Sequence, residues 1–178
     1  TADTLTMTSV NANIASGKSL TVDMTSADDD PLVADFSAET NGTVTILVDG
    51  SAASDHIVTL GAGADTYTST SLGTDTVVGT KGNNTIKTGD GVDIITLGTG
   101  TDTISFGAGD KDTVSVIAET SLVADTAVIT DWHTTAEIIL TFAIVDASSR
   151  NLVCLDDGAA AVAANGIAFA ITGAYDLG

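Results

Sequence analysis

Between Asp55 and Val114 a carboxylate or amide residue, one spacer and a large apolar residue recur every nine or ten positions. The triplets are Asp55-His56-Ile57, Asp65-Thr66-Tyr67, Asp75-Thr76-Val77, Asn84-Thr85-Ile86, Asp93-Ile94-Ile95, Asp102-Thr103-Ile104 and Asp112-Thr113-Val114. A glycine lies two residues before the acidic position at Gly63, Gly73, Gly82, Gly91 and Gly100, and four before it at Gly61, Gly89 and Gly98. Gly107 and Gly109 precede Asp112 in the same pattern, one residue further out. Such a set can hold a hard cation. Aspartate supplies oxygen ligands suited to calcium, and glycine permits tight turns in which carbonyls also face the ion. Asp and Gly favour turns without any ligand, but repeats this many, in phase with an apolar position, point to a ligand array.

A unit this short specifies one rung of a stacked coil. After the glycine turn, three residues of strand place the acidic and the large apolar side chain on one face and the spacer on the other. The large side chain enters the core. Two nine-residue units make one turn of such a coil, so positions about eighteen apart stack. That arrangement predicts Asp55, Asp75, Asp93 and Asp112 on one edge and Asp65, Asn84 and Asp102 on the other. Calcium is expected between successive turns. The amide of Asn84 removes one charge from the sites it helps to build and weakens them.

Composition is consistent with this. The chain of 178 residues has 24 acidic against 5 basic residues, a formal net charge of -19. Aspartates stacked along an edge repel one another, and divalent cations remove that penalty. The same charge excludes nucleic acid, whose phosphates need a basic surface. At 43% hydrophobic and a mean hydropathy of +0.33, the chain is too apolar for disorder. No stretch approaches the roughly twenty apolar residues of a membrane span. Abundant Thr, Ser, Ala, Val and Ile suit short strands. The single cysteine, Cys154, is expected to be a buried thiol between Val153 and Leu155, without an internal disulfide.

Three segments are expected: irregular β-solenoid turns over 1–54, the calcium-binding roll over 55–116 and a β-rich cap over 117–178. Upstream strands are expected at Leu5-Thr6-Met7, Leu20 to Met24, Leu32 to Phe36 and Val44 to Val48. Downstream ones are expected at Ala127 to Trp132 and Glu137 to Leu140, while the Ala-rich stretch 158–171 allows either a helix or a strand. No zinc-protease, nucleophile-elbow or phosphate-loop motif occurs, so no enzyme is expected. His56, at a spacer position, is expected to be exposed, and His133 to lie at a strand end. Asp30-Pro31 reads as a turn after an acidic run. Threonines 99 and 101 do not recur at matching places, which argues against an ice-binding array.

The Gly-x-Gly-x-Asp-x-apolar rhythm resembles the nonapeptide repeats of the repeats-in-toxin proteins. Ile129-Thr130-Asp131-Trp132 followed by Glu137-Ile138-Ile139-Leu140 is similar to the pair of motifs that commonly follows such repeats, and the Thr, Ala and Ser bias resembles bacterial surface-layer (S-layer) proteins. The resemblance implies an all-β fold, a right-handed parallel β-roll or β-solenoid with Ca2+ between its turns. It further implies export as an unfolded chain by type I secretion, folding in extracellular calcium, and self-assembly into a two-dimensional homo-oligomeric lattice on the cell surface, with polysaccharide or lipopolysaccharide as anchor. The alternatives are a calcium-binding adhesin module, or the folding and secretion domain of a protease or lipase. The ending Tyr175 to Gly178 does not match the export signals of such proteins, so the chain is expected to be a fragment.

Overall fold

A computed structural model describes residues 3–11, 13–25, 30–49, 53–79, 81–107, 112–117, 125–130, 139–143, 150–154, 159–164 and 167–172, with side chains through Ser115 and over 127–130. The described strands are, in chain order, β1 (Leu5–Thr8), β2 (Ser19–Met24), β3 (Leu32–Asp35), β4 (Thr43–Val48), β5 (His56–Thr59), β6 (Thr66–Ser69), β7 (Asp75–Gly79) and β8 (Thr85–Lys87). They continue with β9 (Ile94–Leu97), β10 (Thr101–Ser105), β11 (Thr113–Ile117), β12 (Asp125–Ile129), β13 (Ile139–Ala143), β14 (Arg150–Cys154), β15 (Ala159–Ala164) and β16 (Ile167–Thr172).

Successive strands alternate between two sheets. Odd strands from β1 to β13 form one sheet in sequence order, and even strands from β2 to β16 form the other, each pairing in parallel with the strand one turn on. The chain is therefore an all-β parallel solenoid. Only β15 departs from this: it pairs with β16 antiparallel, Ala159 opposite Thr172, so the Ala-rich stretch is strand and forms a hairpin at the end of the second sheet. The sheets continue through β3 to β5 and β4 to β6, joining the irregular upstream turns to the repeats. No helix among the described residues is long and apolar enough to cross a membrane.

Strand alternation sets the core. Val77, Ile86, Ile95, Ile104 and Val114, the large residues of five repeats, are at most 1% exposed, and each fully buried aliphatic side chain contributes about 1.5–3 kcal/mol. Upstream, Leu32, Val44, Ile46 and Val48 extend the same stripe. The spacers face outward. On the second sheet they stack as Thr21, Thr45, Thr66, Thr85 and Thr103 in one continuous register, so a threonine row does exist, though at positions other than Thr99 and Thr101. On the first sheet the outward row runs Val33, Ile57, Thr76, Ile94 and Thr113.

Two expectations need correction. The first repeat begins one residue later than its acidic residue suggests: His56, not Asp55, is in register with Asp75. Val58 is its core residue at 0% exposure and Ile57 is the outward spacer at 51%. Consequently His56 is buried, not exposed. Of the strand expected at Glu137 to Leu140, Ile139 and Leu140 lie in β13, which runs on to Ala143; 131–138, with Trp132 and His133, lie outside the described residues. For Cys154 only the backbone is described, opposite Ile129.

Candidate calcium columns

Each repeat aspartate sits just before or at the start of its strand, with its side chain turned inward beneath the preceding rung. Asp65, Asp75, Asn84, Asp93, Asp102 and Asp112 are all 0–1% exposed. Burial at that level requires hydrogen bonding, and the fold supplies it from the neighbouring turn. The N–H of Asp75 donates to Asp93 Oδ1 and that of Asp93 to Asp112 Oδ1, both at 2.9 Å. On the other edge, the N–H of Val44 donates to Asp65 Oδ1 at 2.8 Å, that of Asp65 to Asn84 Oδ1 at 3.2 Å and that of Asn84 to Asp102 Oδ1 at 2.9 Å. In these five contacts one side-chain oxygen locks a turn to the one before it.

His56 occupies the same station. Its Nδ1 accepts the N–H of Leu32 at 3.1 Å, as Oδ1 does elsewhere, and burial pulls its pKa below the ordinary 6.5. The first column is therefore His56, Asp75, Asp93 and Asp112. Asp55 is exposed and accepts the N–H of Thr74 at 2.8 Å. The spacing held a clue: His56 to Asp65 is nine residues, the regular period, whereas Asp55 to Asp65 is ten.

The second oxygens are the ones available to an ion. Asp65 Oδ2, Asp93 Oδ2 and both oxygens of Asp75 are buried without a hydrogen-bond partner. An orphaned buried carboxylate is costly, and the cost appears as raised pKa values. Burial drives Asp75 and Asp93 from 3.8 up to about 7 each. For Asp93 the charges of Asp75 and Asp112 add to the rise. Parallel strands lie about 4.8 Å apart, so two ionised neighbours in one column repel by roughly 3 kcal/mol at an effective dielectric of about 20. The first column contains two such adjacent pairs. In the second, Asn84 separates Asp65 from Asp102, so none is adjacent.

Glycines bring carbonyls to the same edges. A Cβ on Gly82 would collide with the carbonyl oxygen of Gly63, one on Gly100 with that of Gly82, and one on Gly91 with that of Gly73. Gly63 lies in the same way over Gly42, Gly73 over Ser54 and Gly107 over Gly89. Only some of these glycines need a left-handed backbone. Gly82 has φ 86° and Gly100 φ 129°, whereas Gly61, Gly63 and Gly73 are required for close approach alone. Gly109 lies outside the described residues. Among the described residues no three acidic, His or Cys side chains converge closely enough to hold a metal ion by themselves, so an ion here would be held by stacked carboxylate oxygens completed by turn carbonyls. That donor set, all hard oxygen, fits calcium.

Gly82→Ala tests the cradle. It forces a Cβ onto a carbonyl and a side chain into the left-handed region, and it should cost more than about 2 kcal/mol in urea unfolding at saturating calcium. Gly17→Ala is the control: φ is 69° with nothing within 4 Å, so it should cost only about 1 kcal/mol. Equal costs would mean that stacking of the turns is not tight.

Residues 69–104 match the family model described as RTX calcium-binding nonapeptide repeat, in 4 copies. No curated protein and no solved structure matches the chain. The match spans the rungs of Asp75, Asn84, Asp93 and Asp102, where the aspartate columns and glycine stacks are most regular. This part of the solenoid is an array of RTX repeats, and the ion it binds is Ca2+.

Proposed function

We propose that the protein is a structural cell-surface protein, a calcium-stabilised β-solenoid that self-assembles outside the cell into an S-layer lattice and has no catalytic role. The observation that carries this reading is the outer face of the first sheet. Ile57 at 51% and Ile94 at 41% exposure share one outward row two strands apart, with only Thr76 between them. Exposed apolar side chains in one register row on the outer face of a sheet suit lateral packing against another solenoid. A surface carrying a net charge of -19 would repel its own copies unless divalent cations were bound, which ties assembly to calcium. The catalytic motifs absent from the sequence support a structural role.

The second reading is a calcium-rigidified module of an adhesin, or the folding and secretion domain of a secreted protease or lipase. Calcium titration from chelator to millimolar, followed by far-ultraviolet circular dichroism and analytical ultracentrifugation, separates them. Lattice assembly predicts a cooperative gain of β signal together with large assemblies. Folding to a monomer that stays monomeric favours the module. A chain fully folded in chelator rules out calcium-dependent folding.

A further inference from the structure

The turn between β3 and β4 carries a glutamate that the repeat pattern does not include. Glu39 is 0% exposed. Its Oε1 accepts the N–H groups of Gly42 at 3.1 Å and Asn41 at 3.4 Å, which closes the turn on itself. Its Oε2 is buried without a hydrogen-bond partner. Directly above lies the turn that leads into Asp65. The N–H of Ala62 donates to the Glu39 carbonyl at 2.8 Å, and a Cβ on Gly61 would sit 2.9 Å from that same carbonyl oxygen and 3.3 Å from the carbonyl oxygen of Phe36. Gly63 lies tightly over the carbonyl of Gly42. The Cβ positions of these two glycines are 3.2 Å from Asp65 Oδ1 and 3.3 Å from Glu39 Oε1 respectively. The two carboxylates therefore flank a single glycine stack, and burial first, with a smaller contribution from the Glu39 charge, raises the Asp65 pKa. Asp65 likewise has its Oδ2 buried and unpartnered.

From this geometry we propose a further calcium site at the start of the second column, outside the matched repeats, built from Glu39 Oε2 and Asp65 Oδ2 with turn carbonyls of residues 36–42 and 61–63. Two buried carboxylates beside one glycine stack, each with one oxygen left unpartnered, cost several kcal/mol when ionised, and one divalent cation neutralises both. A glutamate is needed because no aspartate comes from the rung below: in register with Asp65 stands Val44, whose N–H takes Asp65 Oδ1. Glu39 reaches in from the turn instead. The ligand set is oxygen only, with irregular carbonyl geometry, which suits Ca2+ better than the octahedral and reluctantly dehydrated Mg2+. The site closes the amino-terminal end of the column, and it rests on the calcium reading of the repeats.

Equilibrium dialysis of the full chain against radioactive calcium tests it. Glu39→Gln keeps an acceptor for Gly42 and Asn41 and removes only the charge. The expected result is one fewer ion per chain, or one ion weakened about tenfold or more, with the remaining ions bound at wild-type affinity. An unchanged count and affinity overturns the site. If Glu39→Gln does not fold in calcium while Glu39→Asp does, the charge itself is required and the site stands. If neither folds, the decision passes to Asp65→Asn, which also removes a charge from the repeat site it shares with Asn84: loss or weakening of two ions supports the site, and loss or weakening of one alone overturns it. A wild-type chain that binds no calcium would refute the repeat reading itself, whereas calcium binding that ignores position 39 refutes this site alone.

Discussion

Asp93→Ala should raise the calcium concentration at half-folding by about tenfold or more, and Asn84→Ala by far less. Asp93 stands at the centre of the all-carboxylate column. Its Oδ1 accepts the N–H of Asp75 and its own N–H donates to Asp112, while its Oδ2 is buried without a partner. Ions on either side of this rung would draw on it, so its loss removes a ligand from two sites. Asn84 holds the corresponding place in the other column with a neutral amide. Its Oδ1 accepts the N–H of Asp65, and its Nδ2 donates to the Lys81 carbonyl at 2.9 Å. Alanine there strands the Asp65 N–H, at about 1–3 kcal/mol, but that loss is the same with and without calcium. Urea unfolding in chelator and in saturating calcium separates the two effects. Asn84→Asp should do the reverse of Asp93→Ala and lower the calcium midpoint above neutral pH. Equal calcium shifts from Asp93→Ala and Asn84→Ala would mean that the charge difference between the columns does not govern ion binding.

The two columns were legible in the sequence because a fixed period and a strand's two-residue alternation leave little freedom. Once Val77, Ile86, Ile95 and Ile104 must face the core, the residues two positions earlier must lie on the same face at the turn. The first rung failed for a physical reason. A carboxylate is not the only side chain that fits the position: an inward acceptor for the N–H of the rung below suffices, and the imidazole Nδ1 of His56 meets that need. Val58, buried where Ile57 was expected to be, gives the true phase. The hydrogen-bond ladder itself could not be read, because partners 18 to 21 residues apart are set by stacking and not by any local signal. Glu39 was missed similarly. Its turn lacks the repeat, and only the phase of Gly42 and Val44 against Gly63 and Asp65 relates it to the column. The alternatives at 158–171 stayed open in sequence because alanine fits helix or strand. Pairing of β15 with β16, at the end of an already formed sheet, decides it.

Acidity should act on this fold in opposite directions with and without calcium. Asp75 and Asp93 are pushed by burial from 3.8 up to about 7. In chelator the folded chain then binds more protons than the unfolded chain between about pH 4 and 7, so its stability falls as pH rises through that window and levels off above it. Three groups alter this only in part. His56, held below 6.5 by burial, contributes stability that grows as pH rises through its range, but it is one group against three, since burial raises Asp65 as well. Asp23 and Asp35 are held below 3.8 by hydrogen bonds from Thr25 and Ser37, and being exposed they contribute little. Calcium reverses the slope, since it binds only the ionised carboxylates. Below pH 7 each of the two that must lose a proton weakens binding by up to about tenfold per pH unit. The calcium midpoint for folding should therefore drop steeply from pH 5.5 to 7.5 and flatten beyond, while urea unfolding in chelator shows lower stability at pH 8 than at pH 5.5. A calcium midpoint flat across this range would mean that the aspartates are already ionised at pH 5.5, as they would be if water reached them. In that case the columns would be open to water at their edges, and proton release would not be coupled to calcium binding in this range.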